Sequence, residues 1–325
     1  MKLPRRKFLH LAAGAAALPA VPRVARAQTY PARPVRIIVG YAAGGGTDIA
    51  ARVVGQWLSE RLSQQFVIEN RPGAATNIAT ETVARSAPDG YTLLLVTAAN
   101  AINATYYEKL GFDFIAQVAP VAAIMRVPLV MVVNPSFAAT TVRELVAYAK
   151  ANPRKINFAS GGAGGPDHMA AEYFRLSTGI EMLHVPYRGL APALADLIGG
   201  QVQLIFSTLP AAIEYIKAGS VRALAVTTSA RAEALPDVPL VADTLPGFEA
   251  SQWYALGAPR NTPADVVAII NKEVLAGLAD PKMKVRIAQL GGEPMAMSPG
   301  ELGKLVVDET AKWGKVVKFA GIKPE

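Results

Sequence analysis

Cysteine is absent from the 325-residue chain. The fold therefore relies on no disulfide in any compartment, and thiol chemistry is excluded. Histidine is scarce: beyond His10 there are only His168 and His184. A histidine-rich metal cluster is ruled out, no H-E-x-x-H pattern occurs, and neither a metal nor a cofactor is expected. No G-x-S-x-G elbow of the serine hydrolases appears, nor any carboxylate pair in a glycosidase-like context. Apolar runs approaching the roughly 20 residues that span a bilayer are also missing, as is any low-complexity linker.

What is present begins with a targeting segment. Arg5-Arg6-Lys7-Phe8-Leu9 leads into an alanine-rich apolar stretch ending at Val21, broken by Pro19, and Ala25-Arg26-Ala27 closes it. A basic start, a short apolar middle and a small-x-small site make a secretory signal, and the arginine pair marks the twin-arginine route. No cysteine follows the site, so no lipid anchor is expected. The formal charge of +8 owes six of its cations (Lys2, Arg5, Arg6, Lys7, Arg23 and Arg26) to this segment, which carries no acid; the remainder is +2. It shows no clustered basic face, so nucleic acid is excluded as a partner. From residue 28 on, 298 residues remain, a length that suits two domains.

Hydrophobic periodicity then alternates between two types. Val35–Val39 is a β-branched run expected as a buried strand, and a glycine-rich loop, Gly40 to Gly46, follows. Thr47 and Asp48 offer a helix cap, and Ile49, Val53, Val54, Trp57, Leu58 and Leu62 make one helical stripe. Strands at Phe66–Glu69 and Thr92–Thr97 flank a helix from about Asn77 to Ser86. The result is a βαβαβ pattern that predicts a parallel sheet. A second series has strands at Leu129–Val133, Ile156–Ala159, Leu183–Val185, Val202–Phe206 and Ala223–Val226. Helices are expected at Val142–Lys150, about Met169–Leu176, Ala191–Ile198 and Pro210–Ala218. A second glycine loop runs from Ser160 to His168, and two helical patterns, near Pro263–Leu278 and Pro299–Phe319, end the chain.

The two loops carry the functional expectation. Glycine permits close approach and positive φ, and a helix that starts there aims free N–H groups and a partial positive charge at the same spot. This makes an anion site without a basic side chain. Two such loops facing one another would grip both ends of a small dicarboxylate. Nucleotides fit poorly: a Walker loop needs lysine where Gly46 stands, and a dinucleotide fingerprint needs a small residue where Ile49 stands. The contacts expected from the first loop are Tyr41, Ala42, Gly45, Gly46, Thr47 and Asp48, with Thr97 and Asn100 at the end of a neighbouring strand. From the second loop they are Ser160, Gly161, Gly164, Gly165 and His168, joined by Tyr187, Ser207 and Thr208 at other strand ends. Ser160 with His168 is the only weak nucleophile–base option; His184 is expected as a core histidine, Arg188 as a loop brace and Trp253 as packing.

In this order, several stretches resemble the Bug-type periplasmic solute-binding proteins of tripartite tricarboxylate transporters over nearly all of the chain after the signal. They are Gly44-Gly45-Gly46-Thr47-Asp48-Ile49-Ala50-Ala51-Arg52, Glu69-Asn70-Arg71-Pro72-Gly73-Ala74, Ala87-Pro88-Asp89-Gly90-Tyr91-Thr92-Leu93, His184-Val185-Pro186-Tyr187-Arg188-Gly189 and Gly199-Gly200-Gln201-Val202. The resemblance implies an α/β, two-lobed periplasmic-binding-protein fold of the Venus-flytrap type II, each lobe a mostly parallel sheet flanked by helices. Residues 1–27 would be the signal, 28–126 plus 251–325 the first lobe, and 127–250 the second. It further implies a monomeric, non-enzymatic periplasmic receptor that delivers a small carboxylate to membrane transporter subunits. Backbone amides of the loops and ordered water would hold the ligand, with Tyr41 over it. Many members carry an acid or amide near Ser207 and Thr208; this chain does not, which bears on recognition of an amino group there. A sensor that signals to a two-component kinase, or a periplasmic hydrolase using the same cleft, are the alternative readings.

Overall fold

The computed structural model describes residues 30–107 and 109–320, the last two by backbone alone. The proposed signal, residues 1–27, lies outside the described residues.

The first half opens as the periodicity predicts: β1 (Val35–Val39), α1 (Gly46–Leu62), β2 (Phe66–Asn70), a 3-10 turn at Ala74–Thr76, α2 (Asn77–Ala84) and β3 (Thr92–Thr97). The cap of α1 differs from expectation. Gly45 is the N-cap residue, with no side-chain cap, while Thr47 and Asp48 already lie in the first turn. Two helices with no sequence expectation, α3 (Ala98–Tyr106) and α4 (Phe114–Gln117), precede a 16-residue strand, β4 (Val118–Val133). The second series follows as α5 (Val142–Ala151), β5 (Asn157–Ser160), α6 (Pro166–Thr178), β6 (Leu183–Pro186), α7 (Leu190–Ile198), β7 (Leu204–Thr208), α8 (Leu209–Lys217) and β8 (Arg222–Val226). The chain then returns through β9 (Ser251–Pro259), α9 (Ala264–Ala279), α10 (Pro281–Gln289), β10 (Glu293–Pro294) and α11 (Pro299–Ala320). No helix among the described residues is long and apolar enough to cross a membrane.

The strand order is β2-β1-β3-β9-β4-β7-β5-β6, with β8 and β10 also paired to β4. Pairs of β1 with β2 and β3, and of β5 with β6 and β7, are parallel. Every pairing of β4 and β9 is antiparallel. The sheet is therefore mixed, where periodicity alone predicts a parallel one. Most of β4 and all of β9 escape the sequence pattern for a physical reason: Pro120, Arg126, Pro128 and Gly257 interrupt the alternation that announces a strand. The β4 strand changes partners midway. Val118–Pro128 pairs with β9, and Leu129–Val133 pairs with β7 and β8. The architecture is the two-lobed α/β fold.

Alternation along β4 divides the core. Leu129, Met131 and Val133 face Phe158, Phe174 and Phe206 on one side. Val130 and Val132 face Leu194, Leu197, Ile205 and Ile213 on the other. Burial on both faces accounts for the unbroken apolar run in the sequence. On the other side of the molecule, Ile38, Leu94, Val96, Trp253, Leu302 and Val306 form a separate cluster, in which Trp253 is packing, 1% exposed.

Helices α1 and α9 meet without a spacer. Trp57 Nε1 donates to the carbonyl of Glu273 at 2.7 Å, and a Cβ on Gly277 would lie 2.8 Å from that nitrogen. Gly277→Val is expected to destabilise the protein by about 1–3 kcal/mol through overpacking. Urea unfolding measures this, and an unchanged midpoint would contradict the close packing of α1 on α9.

Candidate ligand-binding cleft

Both glycine loops stand at carboxyl ends of parallel strands, where ligands bind in open α/β sheets: residues 40–45 after β1 and residues 161–165 after β5. A narrow cavity lies between them, lined by Tyr41, Gly45, Gly46, Thr47, Gly161, Pro166, Asp167, Leu190, Thr208 and Gln252. It is small, with room for about one water. The loops nearly touch their opposites. Ala42 N donates to the carbonyl of Arg188 at 3.0 Å, and a Cβ on Gly189 would lie 3.0 Å from the same nitrogen.

The first loop is held from behind. Asp48, 2% exposed, accepts from Gly44 N at 3.0 Å, from Arg52 Nε at 2.8 Å and Nη2 at 3.0 Å, and from Asn70 Nδ2 at 3.0 Å. Burial opposes its ionisation, but the bonds from Arg52, Gly44 and Asn70 prevail and hold its pKa below the usual value. Asn70 also donates to the carbonyl of Tyr41 at 2.9 Å. Asp48, expected as a ligand contact, uses these bonds to shape the loop. The first-turn amides of α1, at Gly46, Thr47 and Asp48, have no intrahelical acceptors, and Ile49 N is the first to find one, the carbonyl of Gly45.

The second loop is satisfied from within. Gly161 N donates to Asp167, Gly162 N to Ser160 Oγ at 3.2 Å, Gly164 N to His168 Nδ1 at 3.0 Å and Gly165 N to the carbonyl of Gly162 at 3.1 Å. The N–H groups of Asp167 and His168 serve the Asp167 carboxylate as well. Gly161, Gly164 and Gly165 therefore shape the site, but their amides already have acceptors. The backbone angle makes glycine necessary at Gly162 and Gly164, with φ +148° and +82°.

Three hydroxyls complete the cavity. Tyr41 Oη, Thr208 Oγ1 and Tyr254 Oη are buried without a partner in hydrogen-bonding geometry, though Thr97 stands close to the first and Thr47 and Thr208 close to the last. Both phenols are pushed well above their ordinary pKa, chiefly by burial and further by the charge of Asp167, so they are O–H donors. Gly46 fits closely under two of these groups: a Cβ there would fall 2.3 Å from Thr208 Oγ1 and 2.9 Å from Tyr254 Oη.

Other expected contacts take structural work. Asn100 binds Thr97 N at 2.7 Å, Thr76 Oγ1 at 3.1 Å and Thr80 Oγ1 at 2.7 Å, capping α3. Ser207 Oγ donates to the carbonyl of Thr208 at 3.1 Å. Tyr187 donates to Asp196 at 2.5 Å, and burial followed by that bond pushes the phenol up to about 12. His168, lowered to about 3 by burial, then by His184 and Arg175, is a neutral acceptor for the loop. Ser160 does not pair with His168. Its hydroxyl meets His184 Nε2 at 2.6 Å, is wholly buried, and His184 stacks on His168 at 3.9 Å and on Phe158 at 4.9 Å. A buried serine tied to a stacked histidine is no accessible nucleophile.

Sequence reasoning misses Tyr254 and Gln252, because β9 carries no strand signal, and Asp167, which sits unremarked inside the second loop. It also misses the turn at Ala74, Ala75 and Thr76, three consecutive residues at φ +46°, +45° and +78°. Ala75 lies against Gly162, its Cα 3.4 Å from where a Cβ would stand. Such φ values cost roughly 1–2 kcal/mol each in non-glycine residues, and strain of this kind collects at ligand clamps.

Comparison with known proteins shows the family of the chain. A family model described as tripartite tricarboxylate transporter family receptor matches residues 50–322. Protein BugT of Bordetella pertussis is 36% identical over 300 residues, 91% of this chain and 92% of BugT. Among solved structures, R. palustris Rpa4515 with adipate is 39% identical with a TM-score of 0.89, covering 91% of this chain and 100% of that one. MatC (Rpa3494) from Rhodopseudomonas palustris with bound malate is 30% identical with a TM-score of 0.84, covering 89% and 100%. The relatives are solute-binding receptors.

Two buried acids should titrate in opposite senses. Burial pushes Asp167 up to about 6 against the amides that bind it. The folded state then holds its proton more tightly than the unfolded chain. Its stabilising contribution is complete below about pH 4 and is lost as pH rises through about 6, roughly 3 kcal/mol in all. Asp48 behaves conversely: its contribution is present above about pH 4 and is lost as pH falls below that. Urea unfolding across this range should show D167N gaining on the wild type as pH rises from about 4 to about 7. A pH-independent difference would contradict the buried, ionising carboxyl.

Proposed function

Because the chain belongs to the tripartite tricarboxylate transporter receptor family, we propose that it is an extracytoplasmic receptor that captures a small carboxylate and presents it to a membrane transporter. Support for a site outside the cytoplasm comes from the family and from the twin-arginine pattern at Arg5-Arg6. Residues 28–126 with 251–325 would form one lobe and 127–250 the other, joined where β4 and β9 cross. The partner change in β4 at Pro128 supports that boundary.

One observation carries the ligand class. The buried hydroxyls of Tyr41, Thr208 and Tyr254 have no partner in hydrogen-bonding geometry; Thr208 and Tyr254 converge on Gly46 at the amino end of α1, and Tyr41 lines the cavity beside it. Each is a donor, and the helix end adds N–H groups and a partial positive charge. A carboxylate there accepts from all of them without any basic side chain, and each charge-assisted bond contributes roughly 1.5–3 kcal/mol. The relatives with adipate and malate support the same chemistry. The cavity has room for about one water, so capture requires the loops to part about the crossing strands. Closure then removes water and strengthens each bond. Ser160 is buried outside the cavity lining, tied to His184, which favours a non-enzymatic role over hydrolysis.

A thermal-shift screen of the chain from residue 28 against carboxylates should raise the unfolding temperature with at least one of them, without turnover. Gly46→Ala puts a methyl where Thr208 and Tyr254 converge, and is expected to weaken that ligand about tenfold or more while unfolding stays cooperative. Unchanged affinity would remove the site from the end of α1.

A further inference from the structure

The cavity is asymmetric in its chemistry, and the asymmetry restricts the ligand. Around the amino end of α1 it offers donors: that helix end itself, the hydroxyl of Tyr41 from the first loop and that of Thr208 from the end of β7, with Tyr254 close behind Gly46. Its second-loop side offers an acceptor. Asp167, only 4% exposed, lines the cavity, and its carboxylate occupies the place a ligand anion would take at the amino end of α6. It accepts from Gly161 N, from its own N–H and from the N–H of His168. The remaining glycine amides there, Gly162, Gly164 and Gly165, have Ser160, His168 and a carbonyl as acceptors. A second ligand carboxylate would find no vacant donor among these amides and a like charge beside it, which is destabilising in a dry site.

From this we infer that the ligand is a carboxylate bearing a hydrogen-bond donor, an ammonium or a hydroxyl, at its other end, and that Asp167 selects for it. This rests on the receptor reading above and narrows it, because a symmetric dicarboxylate is disfavoured. Asp167 supplies the acceptor for such a group where it lines the cavity. With its carboxyl at about 6, the residue is largely ionised at neutral pH and a lone pair remains for the ligand. Asp167→Asn keeps an acceptor for the loop amides and turns the ligand-facing atom into a donor.

The test is calorimetric titration of the chain from residue 28 at neutral pH with succinate, glutarate and adipate, each against the ω-amino and ω-hydroxy acid of equal length. The amino and hydroxy series identify which donor is used. At the length that fits, a donor-bearing acid should bind about tenfold or more tightly than the dicarboxylate. D167N should abolish or reverse that preference, with the dicarboxylate gaining. Should D167N fail to fold, the wild-type ranking decides alone. A wild type that prefers the dicarboxylate, or a D167N ratio within about twofold of wild type, overturns the inference and leaves the receptor reading standing. No binding by any acid in either series overturns both.

Discussion

A buried backbone N–H must find an acceptor, and the two glycine loops meet that demand in opposite ways. Glycine lets each loop bend sharply between a strand and a helix, but it supplies no side chain to receive the amides it exposes. In the first loop the acceptor comes from behind: Asp48, braced by Arg52 and Asn70, takes Gly44 N and leaves the first turn of α1 open toward the cavity. In the second loop the acceptors are internal, with Asp167, Ser160 and His168 taking the amides one by one. One loop is a donor surface and the other is electrostatically closed. Similar sequence patterns therefore produce unlike halves of a site.

The stack of Phe158, His184 and His168 supports the second arrangement. His168 must stay neutral to accept from Gly164 N, and burial against His184 keeps its proton affinity low. Ser160 ties the other ring by its hydroxyl and accepts from Gly162 N in turn. What looks in sequence like the makings of a nucleophile and its base is a brace for a loop.

The crossing strands connect the regions that carry these loops. Because β4 pairs with β9 over Val118–Pro128 and with β7 and β8 over Leu129–Val133, a single strand belongs to both packed regions. Each region keeps its own core on either side of the change of partner, so a bend at the crossing need not disturb side-chain packing. Tyr254, on β9, and Thr208, on β7, reach the same glycine from opposite regions. Under the proposed capture, a change of angle at the crossing would separate the donors that a bound anion holds together.

Sequence by itself determined the alternation of strands and helices through Val226 apart from α3, α4 and the first part of β4, the positions of both loops and the burial of Val35–Val39, Thr92–Thr97 and Leu129–Val133. These follow from local propensity and periodicity, which need no knowledge of neighbours. It did not determine β9 or the first part of β4, whose proline, arginine and glycine break the pattern and whose strand character comes from pairing alone. Nor did it determine which loop residues face the cavity. Asp48 and Asp167 occupy comparable places, two and one residues into their helices, yet one carboxylate turns back to Arg52 and the other lines the cleft. Only the tertiary structure decides between these, because it fixes the partners available to each buried carboxylate, and a buried charge goes where its hydrogen bonds are.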